Sequence, residues 1–192
     1  ERDAINLLVE RRCDAMVVHS KMLSDQELVS FANKVPGLVL IDRFIEQIKH
    51  RCIWLDNEEG GRIAARHLKA LNHTNVAVIT SNYQIDDPQL RLKGFNLALS
   101  SEGTKPVNGK PTNIQIESGD PNQQGGEIAT QKLLASATKF SALFVYNDAM
   151  AIGAISTLED NGYKVPNDIS VIGFDDVLLS RYSRPKLTTL HY

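Results

Sequence analysis

The sequence is poor in several things at once. Its 192 residues hold two cysteines, Cys13 and Cys52, and no CxxC pair. Two isolated thiols could form one disulfide, but without a dense cysteine framework they fit a reducing compartment at least as well. Charge of one sign is lacking too: 21 Lys and Arg face 23 Asp and Glu, a formal net charge of -2. That balance gives no basic footprint of the kind nucleic-acid-binding domains carry, though it leaves open such a domain upstream. No apolar run approaches the roughly 20 residues that cross a bilayer. The opening ERDAINLLVERRCDAMVV does not have a signal peptide's architecture either.

Motifs for common chemistries are also missing. His19, His50, His67, His73 and His191 form no HExxH or other close ligand pattern, so no metal is expected. Carboxylates converging from separate loops on a Mg²⁺ ion stay open as an alternative. EEGGRIA and QQGGEIA each place two glycines at a helix start, but neither reads GxGxxG or GxxxxGK[ST]. They are read as helix entry or close packing, and no phosphate cradle or cofactor is expected. No GxSxG elbow surrounds Ser81 or Ser118, and no catalytic residue is assigned.

What is present is alternation. Val- and Ile-rich runs at 15–18, 37–41, 52–55, 75–80, 112–117, 141–146, 168–174 and 187–190 are separated by amphipathic segments. Ser24 followed by Glu27 signals a capping box and a helix start. Asp56 or Asn57 could cap the next helix, with Glu58 and Glu59 in its first turn and Ile63, Ala64, His67, Leu68 and Leu71 on one face. Further helices are expected at about 87–100, 122–135 and 147–162, the last ending at Asn161-Gly162. Strands alternating with helices of this length indicate βαβ units and a mostly parallel sheet. The first segment opens helically, with Ile5, Leu8 and Val9 on one stripe and no initiator Met. KLTTLHY stops as a strand begins, and both ends are expected to be cuts through a larger chain.

In open parallel sheets, ligands collect beyond the carboxyl ends of the strands. That rule selects Asp42 and Arg43 after LVLI, Thr80 to Asn82 after VAVI, Gly119 and Asp120 after IQIE, Asn147 and Asp148 after ALFVY, and Asp175 and Asp176 after VIGF. Such tips suit a neutral, hydroxyl-rich solute. Asp accepts from vicinal hydroxyls, Asn both donates and accepts, and Arg offers a fixed fork of donors. Blander roles stand beside these, with Asn147 as a helix cap and Asp175 as a turn former.

LDNEEGGRIAARHLKALNH, RLKGF, YNDAMAIGAI, VPNDISVIGFDD and RPKLTT, in that order, resemble the lactose/galactose repressor family of bacterial transcription regulators. IDRF, HRCIWLDN and IGFDDVLLSRYSRPKLTTLHY look most like its galactose repressor and isorepressor branch. The resemblance spans essentially all 192 residues. It implies an α/β, periplasmic-binding-protein-like two-lobed core with mostly parallel sheets flanked by helices. Residues 1–72 would form the N-terminal lobe with its first strand missing, 73–185 the C-terminal lobe, and 186–192 a return to the N-terminal lobe.

The same resemblance implies effector contacts at Arg91 of RLKGF, Asn147 of the ND segment, Asp175 of GFDD, and Asp42. Some relatives stack a tryptophan on the effector after a Gly-Asp pair. Here Pro121 follows Gly119-Asp120, so Phe44, Tyr83 or an absent segment would have to stack instead. The implied partners are a small neutral sugar, a second copy of the chain, and operator DNA reached through an absent N-terminal helix-turn-helix domain. The implied compartment is the cytoplasm, with no membrane partner. A sugar would act by population shift, changing the spacing of two DNA-binding heads. The rivals are a sugar-binding transport receptor of the same fold and a carbohydrate-active enzyme.

Overall fold

A capping box opens the second helix as the sequence expects: the Glu27 amide donates to Ser24 Oγ, and the Ser24 amide donates to the Glu27 carboxylate. That helix belongs to the first of two units, Glu1–Asp56 and Asn57–Tyr192, in a computed structural model that describes residues 1–101 and 113–192. Among the described residues no helix is long and apolar enough to cross a membrane.

The first unit runs α1 (Arg2–Glu10), β1 (Ala15–Val18), α2 (Asp25–Lys34), β2 (Gly37–Ile41), a 3-10 turn (Glu46–Arg51) and β3 (Cys52–Ile53). Its parallel sheet has the order β1-β2-β3. Met16, Val18, Leu38 and Leu40 point inward, with Leu28, Phe31, Ala32 and Ile45 in the same core. The alternation is one-sided: Val17 is 69% and Ile53 64% exposed, so these strands are not buried on both faces.

The second unit runs α3 (Asn57–Ala70), β4 (Asn75–Ser81), α4 (Asp86–Ser101), β5 (Asn113–Gly119), α5 (Gln123–Ala135), β6 (Ala142–Val145), α6 (Asp148–Asp160), β7 (Ser170–Phe174), α7 (Leu178–Tyr182) and β8 (Thr188–Leu190). All its strand pairs are parallel, in the order β5-β4-β6-β7-β8. α5 and α6 pack against each other over Ala77, Ile79, Leu143, Val145 and Val171. α3 and α4 form the other helix pair, where Phe95 stacks on Phe144 at 4.9 Å. Continuous apolar strands such as Ala142–Val145 follow from this double covering.

Three features depart from the sequence expectations. Ile63 and His67 of α3, and Leu71 just beyond its end, are exposed, while Gly60, Gly61, Ala64, Ala65 and Leu68 are buried. A Cβ on Gly61 would overlap the Arg91 carbonyl, and one on Gly94 the Glu58 carbonyl. The two helix backbones therefore nearly touch, and small residues face the partner in place of large ones. Second, this packing groups α3 with the second unit, whereas the expected boundary near residue 72 put it in the first. Third, residues 188–190 pair with β7 instead of leaving the second unit. The 3-10 turn and α7 had no signal strong enough to mark them. Thr112, the first residue of the strand expected over 112–117, lies outside the described residues.

Candidate functional site

The chain leaves β4 for β5 on one side, then returns to place β6 on the other. The sheet's topological switch point therefore lies between the carboxyl ends of β4 and β6, where open α/β sheets collect ligands. Arg91, from the second turn of α4, projects to that end. Its Nη1 donates to the Tyr146 carbonyl at 2.5 Å, just beyond the tip of β6, and its Nε donates to Asn57 Oδ1 at 2.8 Å. The guanidinium carbon stands 3.6 Å from the centre of the Phe174 ring and 4.5 Å from that of Tyr146. Nη1 also lies 3.7 Å from Asp175 Oδ1, and Arg91 as a whole is 6% exposed. Its remaining N–H groups have no hydrogen-bond partner among the described residues.

Asp175 follows β7 directly and is half-buried. Burial pushes its carboxyl up to about 6 from an ordinary 3.8; the Arg91 charge opposes that, and Asp148 and Asp87 add to it. Burial also lowers the Arg91 pKa, against the pull of Tyr146 and Asp175, but a guanidinium stays charged at any working pH. The pair is thus a fixed cation beside a carboxylate that titrates close to neutrality.

The two carboxylates that end VIGFDD do different things. Asp176 turns away from Arg91 and binds Arg181 Nη2 at 3.0 Å and His191 Nδ1 at 3.1 Å, tying α7 to the chain after β8. The Arg181 hydrogen bond holds its carboxyl below the usual range. Both tip residues occupy positive φ, 110° at Asp175 and 50° at Asp176, as does Asp42 at 56°. For residues with a Cβ such conformations cost about 1–3 kcal/mol each and persist only where the surroundings impose them.

Asn147 keeps its structural role. Its Oδ1 accepts from the Met150 amide at 2.9 Å as the N-cap of α6, and its Nδ2 donates to the Pro121 carbonyl at 3.2 Å. It sits one residue beyond the carbonyl that Arg91 grips, so Arg91, Asp175 and Asn147 all lie at the carboxyl edge of one sheet. Asp42 is at the carboxyl edge of the first unit's own sheet, directly after β2. There Lys21 Nζ reaches its Oδ2 at 2.5 Å and His19 Nε2 at 3.3 Å. Burial disfavours its charge, but Lys21 and His19 outweigh that and hold its pKa down.

Sequence reasoning did not find the groups that hold Arg91. Phe174 read as the end of a buried strand and is buried, Tyr146 read only as a strand-end residue, and Asn57 read only as a helix cap. The signal lay in position: each stands at the carboxyl end of a strand or the first residue of a helix. Of the aromatic residues expected to stack on a ligand, Phe44 packs on Trp54 at 4.6 Å and Tyr83 is 53% exposed. Both glycine pairs serve close packing, Gly60 against Phe174 and Gly125 against the Asp120 backbone.

A planar donor fork with a carboxylate within 4 Å of it suits a polyhydroxylated ligand. Hydroxyls can accept from Arg91 and donate to Asp175. The periplasmic binding protein-like domain profile matches residues 65–192. The HTH-type transcriptional regulator GalR of Salmonella typhimurium is 45% identical over all of this chain, which covers 55% of that relative. A solved LacI-family transcriptional regulator from Burkholderia phymatum is 33% identical with a TM-score of 0.81, over 99% of this chain and 67% of its own. The lac repressor dimer bound to operator and the anti-inducer ONPF is 26% identical with a TM-score of 0.80, over 100% of this chain and 64% of its own. This chain belongs to the periplasmic binding protein-like family, in the branch formed by the lactose/galactose repressors. It spans about half the length of the curated relatives it matches.

Proposed function

We propose that this chain is the effector-sensing core of a sugar-responsive transcriptional repressor. D-galactose or a close relative is the effector. Arg91, Asn147 and Asp175 contact it at the second unit's sheet edge. The full-length protein works in the cytoplasm as a homodimer and reaches operator DNA through a helix-turn-helix domain outside this chain. The observation that carries the reading is Arg91: a buried guanidinium at the switch point, held by Asn57 and Tyr146 yet with donors left over beside Asp175.

A neutral effector suits this site because the cation and carboxylate already balance each other, so no net charge is stranded when water leaves. The choice of galactose rests on IDRF and on FDDVLLSRYSRPKLTT. In this reading the site binds its ligand without turning it over, as expected of a transcriptional regulator.

Binding free energies are reciprocal, so a sugar that releases the operator must itself bind less tightly to the operator complex. Titration calorimetry on the full-length protein tests the reading. Saturable heat with D-galactose and parallel loss of operator affinity are expected. No heat and no operator release would sink it.

A further inference from the structure

Asp148 carries a carboxylate that the effector site does not use directly. It is the first residue of α6 and is fully buried, at 0% exposure. No cation pairs with it among the described residues; instead it collects donors. Thr189 Oγ donates to its Oδ1 at 2.5 Å and the Val177 amide to its Oδ2 at 2.9 Å. A Cβ at Gly173 would overlap Oδ1, so β7 needs a glycine at this position for the carboxylate to come this close.

These partners bracket the Asp175–Asp176 tip. Gly173, packed close to Oδ1, lies before it, Val177 follows it, and Thr189 lies beside it on β8, also accepting the Asp176 amide at 3.3 Å. The Asp175 amide itself donates to the Leu190 carbonyl at 3.0 Å. Two successive residues at positive φ need such outside restraint, and Asp148 supplies it from both flanks. A buried carboxylate surrounded only by neutral donors is costly to keep. Burial raises its pKa against the hydrogen bonds from Thr189 and Val177. What that cost secures is the direction of the Asp175 side chain, toward Arg91.

We propose that Asp148 is the positioning residue of the effector site: it touches no effector and fixes Asp175 in register with Arg91 by gripping the chain on either side of the tip. As a statement about effector binding this rests on the function proposed above. As a statement about the tip it stands alone.

The test uses the full-length protein and Asp148→Asn, whose amide presents a donor where an amide N–H now donates. Amide hydrogen exchange is read first, without sugar. Val177 is expected to exchange at least tenfold faster, with core amides such as Leu143 unchanged. The dissociation constant for D-galactose is then expected to rise at least tenfold, with sugar-free operator affinity retained. Should Asp148→Asn not fold, Thr189→Val removes one of the donors and is expected to show the same changes in smaller measure, and Thr189→Ser, which keeps the hydroxyl, to restore wild-type values. Unaltered Val177 exchange in these variants overturns the proposal, as does a uniform rise in exchange with joint loss of sugar and operator binding. If wild-type protein binds no galactose, the effector reading fails while the exchange data still decide whether Asp148 holds the tip.

Discussion

Arg91 Nη1 lies 3.7 Å from Asp175 Oδ1, with the guanidinium 3.6 Å from the ring centre of Phe174, the residue just before that carboxylate. One side chain from α4 is thus set against the end of β7, although 84 residues of sequence separate them (175 − 91). If effector hydroxyls accept from this arginine, Arg91→Ala removes buried, charge-assisted hydrogen bonds. The expected loss is about 2–5 kcal/mol of effector binding. Arg91→Lys keeps the charge but loses the fork, and is expected to weaken binding as well. Titration calorimetry checks both variants, and an unaltered dissociation constant in Arg91→Ala would place the effector elsewhere.

Asp175 makes the site sensitive to pH. Folding raises its pKa from 3.8 to about 6, so between these values the folded protein holds a proton that the unfolded chain has lost. Stability contributed by this group is therefore expected to fall as pH rises through that window. Effector binding should run the other way, because the ionised carboxylate accepts from hydroxyls through both oxygens and more strongly than the protonated acid. At pH 5 about a tenth of the groups are ionised, and the dissociation constant should be about tenfold weaker than at pH 7.5. Asp175→Asn should flatten that profile.

Asn147 has a structural duty that can be separated from any role in binding. Its Oδ1 caps α6 through the Met150 amide. Asn147→Ala is expected to cost about 1 kcal/mol of unfolding free energy in urea denaturation. Asn147→Asp keeps an acceptor for the cap but loses the donor to the Pro121 carbonyl. It should therefore retain most of that stability. Effector affinity lost in Asn147→Asp while stability is kept would mark Asn147 as a ligand contact.

The α3–α4 contact sets where Arg91 starts. A methyl group at Gly61 would run into the Arg91 backbone carbonyl. Gly61→Ala is expected to destabilise by about 1–3 kcal/mol through overpacking, in spite of alanine's better helix propensity. It should also weaken effector binding by shifting α4. A rise in melting temperature for this variant would contradict the packing described.

Much of this was legible in the sequence because it is local. The Ser24–Glu27 capping box, the Val- and Ile-rich strands and the Asn161-Gly162 stop each depend on neighbours a few residues apart, and each formed. The buried face of α3 was misread because periodicity weighs side-chain size. The contact there is set by the absence of side chains at Gly61 and Gly94, 33 residues apart (94 − 61). For the site, Arg91 and Asp175 were legible as residues that resemble a family motif, and the structure brings the two together. The contacts that Tyr146, Phe174 and Asn57 make with Arg91 were not, since nothing local marks a ring or an amide on which a distant arginine packs. The opposite duties of Asp175 and Asp176 depend on two successive positive φ angles, which no alternation of apolar residues encodes.

The central claim is that a neutral sugar is held at the carboxyl edge of the second unit's sheet by Arg91 and Asp175. A crystal structure of the full-length protein with D-galactose tests it most directly. Ring hydroxyls within hydrogen-bond reach of the Arg91 guanidinium and the Asp175 carboxylate are expected. Sugar ordered elsewhere, with both side chains still facing only each other and water, would contradict it.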